Sequence, residues 1–449
     1  MKRLLFVQPW IHDFAAYDFW IRPLGLLQLA SIFRINGFDV RIIDCLDPYH
    51  PSIAEDFRTP PPRHRSGRGK LPRQTIVKPD CLDFVPRRYS RYGITPRALR
   101  TLLRTTHPKP DLILVTSMMT YWYPGVWETI RVLREELAGI PIVLGGNYVT
   151  FCPDHAKGSG ADILISGGGI LPVLEKIGQV LAADRSFLPS HDDLDSRPYP
   201  AFDLYPIVGH VPILTSRGCP FRCSYCAAPL LHERFDRRDP FKVADEIEHW
   251  YRTRGVRHFS FYDDALMIRP DTLIIPLLRE LLRRSITCSF HCPNGLHLRE
   301  VTDECASLMK RSGFETIRFG FETSDALRQR LTGGKTTNDD FLRAVGCLKN
   351  AGYHSEDIGV YLLCGLPGQS PEEVEESIRY VRENGARPLL AEYSPIPGTA
   401  LWETSVKSSR FPIDREPLFQ NNTLLPCRDA CLTDERFAEL KKLARQPLP

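Results

Sequence analysis

The sequence lacks a hydrophobic run long enough to cross a bilayer, although 43% of its 449 residues are hydrophobic. A membrane-spanning helix needs about 20 consecutive apolar residues. The apolar stretch within residues 1–13 is also too short for a secretory signal peptide. We therefore expect a cytoplasmic protein without a membrane span.

The sequence also lacks a strong excess of charge of either sign. It has 58 Lys and Arg residues against 54 Asp and Glu residues, which gives a net charge of +4. Arginine is dense between residues 58 and 104. Such a basic stretch is more often a solvated surface than a nucleic-acid site, so we expect no nucleic-acid partner.

The first 185 residues alternate short apolar segments with segments of helical spacing. The apolar segments lie at residues 3–9, 39–45, 111–119, 141–146 and 161–169. Buried strands separated by amphipathic helices predict a doubly wound, Rossmann-like parallel sheet. Ligands of such sheets bind at the carboxyl ends of the strands, where Ser117, Gly145 and Gly146 stand as candidate binding residues.

Two segments interrupt this alternation. Residues 47–97 are rich in Pro and Arg, and we interpret them as an irregular insertion that either lies over the sheet or is mobile. Residues 186–204 are polar and rich in Pro, which is typical of a linker between domains. The first predicted domain therefore covers residues 1–185.

A second alternating region covers residues 205–400. It contains six apolar strand segments, each followed by a helical pattern or a turn. Six such units predict a partial (βα)6 barrel, whose active residues lie at the carboxyl ends of its strands. Residues 401–449 form a short extension that ends in one predicted helix.

The chain has 13 cysteines, which in a cytosolic protein favour metal or redox chemistry over disulfides. Three of them, Cys219, Cys223 and Cys226, lie in RGCPFRCSYC directly after the first barrel strand. Structural zinc needs four ligands, with His232 as the conceivable fourth, and a disulfide leaves one thiol over. An iron–sulfur cubane held by three thiolates leaves its fourth iron open to a small molecule.

The motif resembles the cluster loop of the radical S-adenosylmethionine (SAM) superfamily, including the aromatic Tyr225 before the third cysteine. The resemblance extends over about residues 205–400. It implies a [4Fe–4S] cluster on the three cysteines, with the amino and carboxylate groups of SAM on the open iron. An electron from the cluster would then release a 5′-deoxyadenosyl radical that abstracts hydrogen from an unreactive carbon.

The same resemblance assigns further residues to SAM. Asp263 and Asp264 follow the second barrel strand, where the family holds the SAM amino group, and Glu322 ends the fourth. Gly365 and Gly368 lie where the fifth-strand segment of the family passes the adenine. Each acid taken alone is as consistent with an ion pair or a helix cap.

The first domain resembles the cobalamin-binding domains that precede some radical SAM barrels, but it departs from them at two places. Domains that supply a lower histidine carry Asp-x-His-x-x-Gly, whereas Trp20 stands at that position here and His12 is out of register. The segment SGGGI at residues 166–170 replaces Gly-Glu-Gly-Glu. The resemblance implies cobalamin bound without a protein axial ligand, and the alternative is a relict sheet that only packs on the barrel.

The sequence therefore predicts a radical SAM enzyme that methylates or rearranges an unactivated carbon of a small-molecule substrate with cobalamin. A reducing partner such as flavodoxin or ferredoxin is implied. Two alternatives stay open: a methylthiotransferase-like enzyme acting on tRNA or protein, and a non-catalytic cobalamin or SAM sensor. Cys427 and Cys431 in the tail are compatible with a second cluster, but incidental thiols are the simpler interpretation.

Overall fold

The structure is a computed structural model that describes residues 1–182 and 193–448. The chain divides into two compact units, Met1–Val208 and Gly209–Pro449. Residues 186–192 of the predicted linker lie outside the described residues.

The first unit contains a five-stranded parallel sheet. Its strands are β1 (Arg3–Gln8), β2 (Asp39–Asp44), β3 (Leu112–Val115), β4 (Ile142–Gly145) and β5 (Ile163–Ile165). Across the sheet they stand in the order β5-β4-β3-β1-β2. The chain thus turns to one side of β1 for β2 and to the other side for β3. The carboxyl ends of β1 and β3 form the switch point at which such sheets bind ligands.

Helices cover this sheet because its strands are apolar on both faces. The helices are Leu24–Ile35, Ser52–Asp56, Pro96–Thr105, Tyr123–Glu136, Asn147–Phe151, Pro153–Ala156 and Ile170–Leu181. On one face, Leu4 and Phe6 of β1 pack with Phe33 and Leu174 from two of these helices. Burying a side chain of this size stabilises the folded state by roughly 1.5–3 kcal/mol. The apolar core between the strands and helices therefore stabilises this alternating arrangement.

The predicted insertion at residues 47–97 is built onto the segment that follows β1. Its strand Ser90–Tyr92 pairs antiparallel with Ile11–Asp13 on one side and Arg73–Thr75 on the other. A second small pair joins Tyr17–Asp18 to Gly69–Lys70. The insertion thus contains short paired strands.

At least five of the eleven arginines in residues 58–104 form ion pairs within the first unit; they are Arg63, Arg91, Arg97, Arg100 and Arg104. Arg91 donates from Nε to the Glu128 carboxylate at 2.7 Å. Arg100 and Arg104 both donate to Glu136, at 2.9 and 2.8 Å. Part of the charge of this stretch therefore serves contacts within the first unit.

The second unit contains a seven-stranded sheet. Its main strands are β6 (Val211–Ile213), β7 (His258–Phe261), β8 (Ser289–His291), β9 (Phe314–Glu322), β10 (Ile358–Cys364) and β11 (Arg387–Glu392). They are parallel and stand in chain order, and the short strand Leu296–His297 also pairs with β9. A separate antiparallel pair joins Ser216–Arg217 to Asp236–Arg237.

Helices connect consecutive strands of this sheet. They are Ala228–Leu231, Pro240–Arg254, Ile274–Arg283, Asp303–Ser312, Ala326–Leu331, Asn338–Asn350 and Pro371–Glu383. Two more helices, Trp402–Ser408 and Asp434–Arg445, follow the last strand. The helix Pro371–Glu383 shows how the sequence sets a start: the Ser370 hydroxyl accepts from the Glu373 N–H at 3.2 Å, and proline occupies the first helical position.

The two units confirm the predicted fold class, a doubly wound parallel domain followed by a partial (βα)6 barrel. Within the described parts of the chain, every helix is too short or too polar to cross a lipid bilayer.

Candidate active site

The cysteine loop begins where β6 ends and is held by three other segments of the second unit. Ser224 donates its N–H to the Thr332 carbonyl at 3.2 Å and accepts from the Leu401 N–H at 2.8 Å. The Phe221 ring stacks on the His297 ring with centroids 5.1 Å apart. The loop is therefore fixed by residues far from it in sequence.

The three thiols are free and partly desolvated. Burial raises the pKa of Cys219 to about 11, and burial likewise raises the pKa of Cys223 and of Cys226. Such thiols ionise poorly by themselves, so a cationic group that binds them is needed to hold the thiolates.

The spacing of these thiols discriminates between the metals considered from the sequence. Although all three are described, their sulfur atoms do not converge within 4.8 Å of one another. Sulfurs about 2.3 Å from one zinc ion lie about 3.8 Å apart. The wider triangle suits a multi-iron cluster, in which each thiolate binds a different iron. The residues present therefore fit the iron–sulfur cluster better than a single ion.

A histidine that the sequence analysis missed also faces this loop. His297 is buried, and its Nε2 lies 4.0 Å from Cys219 Sγ. Burial, with the positive charges of Lys335 and Arg299, lowers its pKa to about 3, so the ring is neutral. Its Nδ1 atom is buried and has no hydrogen-bond partner among the described residues. An unpaired nitrogen beside the thiols is consistent with a group absent from the protein chain.

A glycine brings a second loop against the cysteines. Gly333 has φ +122°, and a Cβ there would lie 2.9 Å from Cys223 Cα. No other residue type fits this approach without moving the cysteine loop. The neighbouring Gly334 has φ +61° with nothing within 4 Å of the same position. The paired glycines in TGGK were the sequence signal for this contact.

Glu322, which the sequence analysis assigned to SAM, lies in a buried ionic cluster at the end of β9. Its carboxylate accepts from the Tyr225 hydroxyl at 2.8 Å and pairs with the Lys335 ammonium. Burial lowers the pKa of Lys335, but the charges of Glu322 and Cys223 outweigh it and the net shift is upward. Lys335 is thus a cation of low exposure, 17% in its side chain, beside the cluster loop, and the sequence analysis did not single it out.

The two predicted acids after β7 have different surroundings. The buried Asp263 carboxylate accepts from the Thr215 N–H at 3.0 Å and from the Thr215 and Ser216 hydroxyls, each at 2.6 Å. Since these residues lead into the cysteine loop, Asp263 positions its start. Asp264 is exposed, yet desolvation by the surrounding protein and the charge of Asp263 raise its pKa to about 6.

Gly365 and Gly368 also have different neighbours. At Gly365 a Cβ would lie 2.8 Å from Leu425 Cδ2, and its N–H donates to Gln369 Oε1 at 3.0 Å. At Gly368 the corresponding position has nothing within 4 Å. A side chain at Gly368 would therefore meet open space, whereas Leu425 of the C-terminal extension lies against Gly365.

In the first unit, the structure brings Ser117, Gly145 and Gly146 together beyond β3 and β4. Ser117 Oγ donates to the Gly145 carbonyl at 2.7 Å. Gly146 has φ +97°, and a Cβ there would lie 2.2 Å from the Ser117 carbonyl oxygen. Gly146 is therefore required by contact with the neighbouring chain segment, whereas a Cβ at Gly145 would make only an ordinary contact, 3.5 Å from the Ile165 carbonyl oxygen.

The residues that depart from the cobalamin pattern are both buried. Trp20 has φ +64° and donates its ring N–H to the Ser66 carbonyl at 2.7 Å. His12 Nε2 lies 2.9 Å from Glu128 Oε2, and burial lowers its pKa, so the ring is neutral. No histidine occupies the position of Trp20, as the sequence shows.

Cys427 and Cys431 do not share an environment. Cys427 is buried in an apolar cluster with Leu366 and Tyr393, and its thiol donates to the Ser405 carbonyl at 3.6 Å. Cys431 is exposed. This difference favours two incidental thiols over a second cluster.

Two family models match the chain. The Radical SAM superfamily matches residues 213–381, and the B12 binding domain matches residues 94–174. The chain therefore contains a radical SAM domain and a B12-binding domain. The family resemblances inferred from the cysteine loop and from the first sheet are confirmed.

Named relatives and solved structures agree with these two domain matches. An uncharacterized methyltransferase of Pyrococcus horikoshii is 24% identical over 332 residues, which is 67% of this chain and 70% of that protein. An anaerobic magnesium-protoporphyrin IX monomethyl ester cyclase of Rubrivivax gelatinosus is 26% identical, over 89% of this chain and 69% of that protein.

The fold also matches a solved structure of the radical SAM methyltransferase TsrM from Kitasatospora setae. The TM-score is 0.68 at 17% identity, over 99% of this chain and 89% of that one. That structure holds a tryptophan substrate and a SAM analogue, and a second one holds cobalamin and a [4Fe–4S] cluster. At this identity the likeness shows the fold.

Proposed function

We propose that this protein is a cobalamin-dependent radical SAM enzyme that methylates or rearranges an unactivated carbon of a small-molecule substrate. When bound, the cluster, SAM and cobalamin supply one-electron cleavage of a sulfonium carbon–sulfur bond and a carrier for a methyl group. The names of the relatives, a methyltransferase and a cyclase, support carbon chemistry of this kind.

The observation that carries the proposal is the arrangement of three spread, desolvated thiols beside a cation of low exposure. Cys219, Cys223 and Cys226 would hold three irons, and the ammonium of Lys335 would offset the negative charge that three thiolates bring into a partly buried site. The contacts with Tyr225 and Lys335 hold the Glu322 carboxylate in place, which suits a carboxylate that faces a charged ligand.

The remaining predicted residues would orient SAM. Asp264 carries the open carboxylate of the acid pair, and its charge acts on Cys219 and Cys226, so it lies on their side of the loop. A carboxylate there suits the SAM ammonium. Gly368 leaves space for the adenine.

In the first unit, Ser117, Gly145 and Gly146 would line the cobalamin site next to the switch point of the sheet. Because His12 is held by Glu128 and Trp20 replaces the usual histidine, cobalamin would bind without a protein axial ligand.

The partners follow from the same chemistry. A reducing protein such as flavodoxin or ferredoxin would deliver the electron. The internal pairing of Arg91, Arg100 and Arg104 supports the absence of a nucleic-acid partner. The methylthiotransferase alternative needs three N-terminal cluster cysteines, but Cys45 is buried and Cys81 is exposed.

The test is anaerobic reconstitution of the full chain with iron, sulfide and cobalamin. We expect a cluster absorption band, a corrin band, and release of 5′-deoxyadenosine or S-adenosylhomocysteine from SAM after reduction. A cluster without a corrin band would remove cobalamin from the proposal. Bound cofactors without SAM cleavage would favour the sensor alternative.

A further inference from the structure

Three potential metal ligands converge in the second unit on a part of the sheet that the cysteine loop does not use. They are His258 of β7, His291 of β8 and Glu315 of β9, and one ligand atom from each lies within 4.8 Å of the others. His258 Nδ1 lies 3.1 Å from His291 Nε2, with the two rings stacked 5.4 Å apart. Among the described residues, this is the group of His, Cys, Asp or Glu side chains that meets that spacing.

The register of the strands explains how these side chains meet. Phe259 pairs with Phe290, so their rings share one face of the sheet. Since side chains alternate, His258 and His291 lie on the opposite face. The pairing of β7 with β8 therefore brings the two histidines together.

Glu315 joins them through an irregularity between β8 and β9. Phe290 pairs with Phe314, but the next residue, His291, pairs with Thr316. Glu315 is thus the extra residue of a bulge, a feature that redirects a side chain and is common beside functional sites.

The hydrogen bonds around the group suit metal ligands. His291 Nδ1 lies 3.2 Å from Thr316 Oγ1, so a proton on Nδ1 leaves the Nε2 lone pair facing His258. The Ser289 hydroxyl donates to Glu315 Oε1 at 2.6 Å. Metal-bound histidines and carboxylates are usually oriented by such second contacts.

A buried hydroxyl on the same face supplies an independent observation. Ser260 lies on the same face as the two histidines, because it pairs with His291 and is two residues from His258. It is fully buried, and its Oγ has no hydrogen-bond partner among the described residues. An unpaired buried hydroxyl is costly unless a further group, such as an ion-bound water, completes its hydrogen bonding.

We propose that His258, His291 and Glu315 bind a divalent cation of the zinc class that ties together β7, β8 and β9. Two imidazole nitrogens and one carboxylate oxygen form a donor set that zinc accepts, with a water in the fourth position. His258 is the first residue of β7, whereas the cysteine loop follows β6 beyond the carboxyl ends of these two parallel strands. The site is therefore distinct from the cysteine loop, and its role is structural.

The test measures zinc in the cluster-reconstituted full chain. After incubation with zinc sulfate and gel filtration under anaerobic conditions, metal analysis gives zinc and iron per chain. We expect one zinc in the wild type, and a melting temperature raised by about 5–10 °C when free zinc is near 100 times Kd. Glu315→Gln and His258→Ala should weaken zinc binding roughly tenfold or more while iron content stays unchanged.

Matched controls are His354→Ala and Glu356→Gln, which change exposed residues of the same unit. They should keep the zinc. Equal zinc content in the wild type and in both site variants would overturn the proposal and leave a plain hydrogen bond between two imidazoles. Equal loss in the controls would overturn it as well. Because Glu315 is exposed, its variant keeps the test informative if His258→Ala fails to fold.

Discussion

Each unit places a carboxylate of low exposure among basic side chains close to its parallel sheet, but the two carboxylates differ in what they bind. In the first unit, Glu128 binds His12 and Arg91, which lie on the paired strands Ile11–Asp13 and Ser90–Tyr92. In the second unit, Glu322 binds Lys335 and Tyr225, and both of these stand at the cysteine loop.

The difference lies in what the bound groups contact. His12 and Arg91 lie on paired strands, and Glu128 lies on the helix Tyr123–Glu136, so this carboxylate links the strands to the helix. The partners of Glu322 adjoin three thiols that burial keeps protonated in the free chain. A buried ion pair is weak evidence for stability alone, and its surroundings decide whether it serves folding or chemistry.

The strongest test of the comparison is the cysteine loop itself. Cys223→Ala leaves one of the three irons without its thiolate ligand. The variant should therefore lose nearly all of its iron and nearly all SAM cleavage. Cys431→Ala, at an exposed thiol, should change neither. Iron content and 5′-deoxyadenosine release measure both. Retention of iron and cleavage in Cys223→Ala would contradict the site.

Exchanging each carboxylate for its amide separates the two units. Glu322→Gln removes the ion-pair partner of the partly buried Lys335, so it should lower the free energy of unfolding, and it should lower SAM cleavage at least tenfold. Glu128→Gln should lower the free energy of unfolding and leave cleavage per folded chain unchanged. Denaturant unfolding and cleavage assays are the measurements.

A double variant sharpens this result. Glu322→Gln with Lys335→Met removes both charges, so much of the lost stability should return, while cleavage stays low. Recovery of both properties would mean that the pair serves only folding.

The glycines of the TGGK loop provide a smaller, steric test. Gly333→Ala forces a Cβ against Cys223 Cα and should lower iron incorporation severalfold, with about 1–2 kcal/mol of backbone strain in addition. Gly334→Ala carries the strain of its positive φ but meets nothing within 4 Å. It should lower stability and keep the iron. Equal iron loss in the two variants would argue against the contact.

The smallest expected effect is a pH dependence in the first unit. Burial raises the pKa of Glu128, but the hydrogen bonds from His12 and Arg91 outweigh it and hold the pKa at about 2, below the ordinary 4.5. Its contribution is therefore complete above about pH 4.5 and is lost as the pH falls towards 2, with an upper limit of about 3 kcal/mol.

Unfolding curves at pH 6 and pH 3 measure this loss. Glu128→Gln should lose less stability than the wild type between the two values, whereas Glu403→Gln, at an exposed acid, should match the wild type. An identical loss in Glu128→Gln would contradict the role assigned to this ion pair.

Local sequence signals predicted much of this structure. Apolar alternation predicted both parallel sheets, and the last helix was expected at the position of Asp434–Arg445. The cysteine motif and its aromatic neighbour predicted the cluster loop. These features could be predicted because strand periodicity, helix caps and metal-ligand spacing are written in short stretches of chain.

The surroundings of the loop could not be predicted in the same way. His297 and Lys335 lie more than 70 residues further along the chain than the thiols. No short motif predicted that they would lie beside the cysteine loop. The environments of Asp263 and Asp264 differ because Thr215 and Ser216 lie close enough to donate hydrogen bonds to Asp263, and this closeness depends on the tertiary structure.

The sequence by itself determined the order of strands and helices, the two families and the three thiols, because these depend on local spacing. Only the tertiary structure decided which charges face one another. Hydrogen bonds and ion pairs act over a few ångströms, and distant segments such as β9 and the cysteine loop reach that range only when the sheet is assembled.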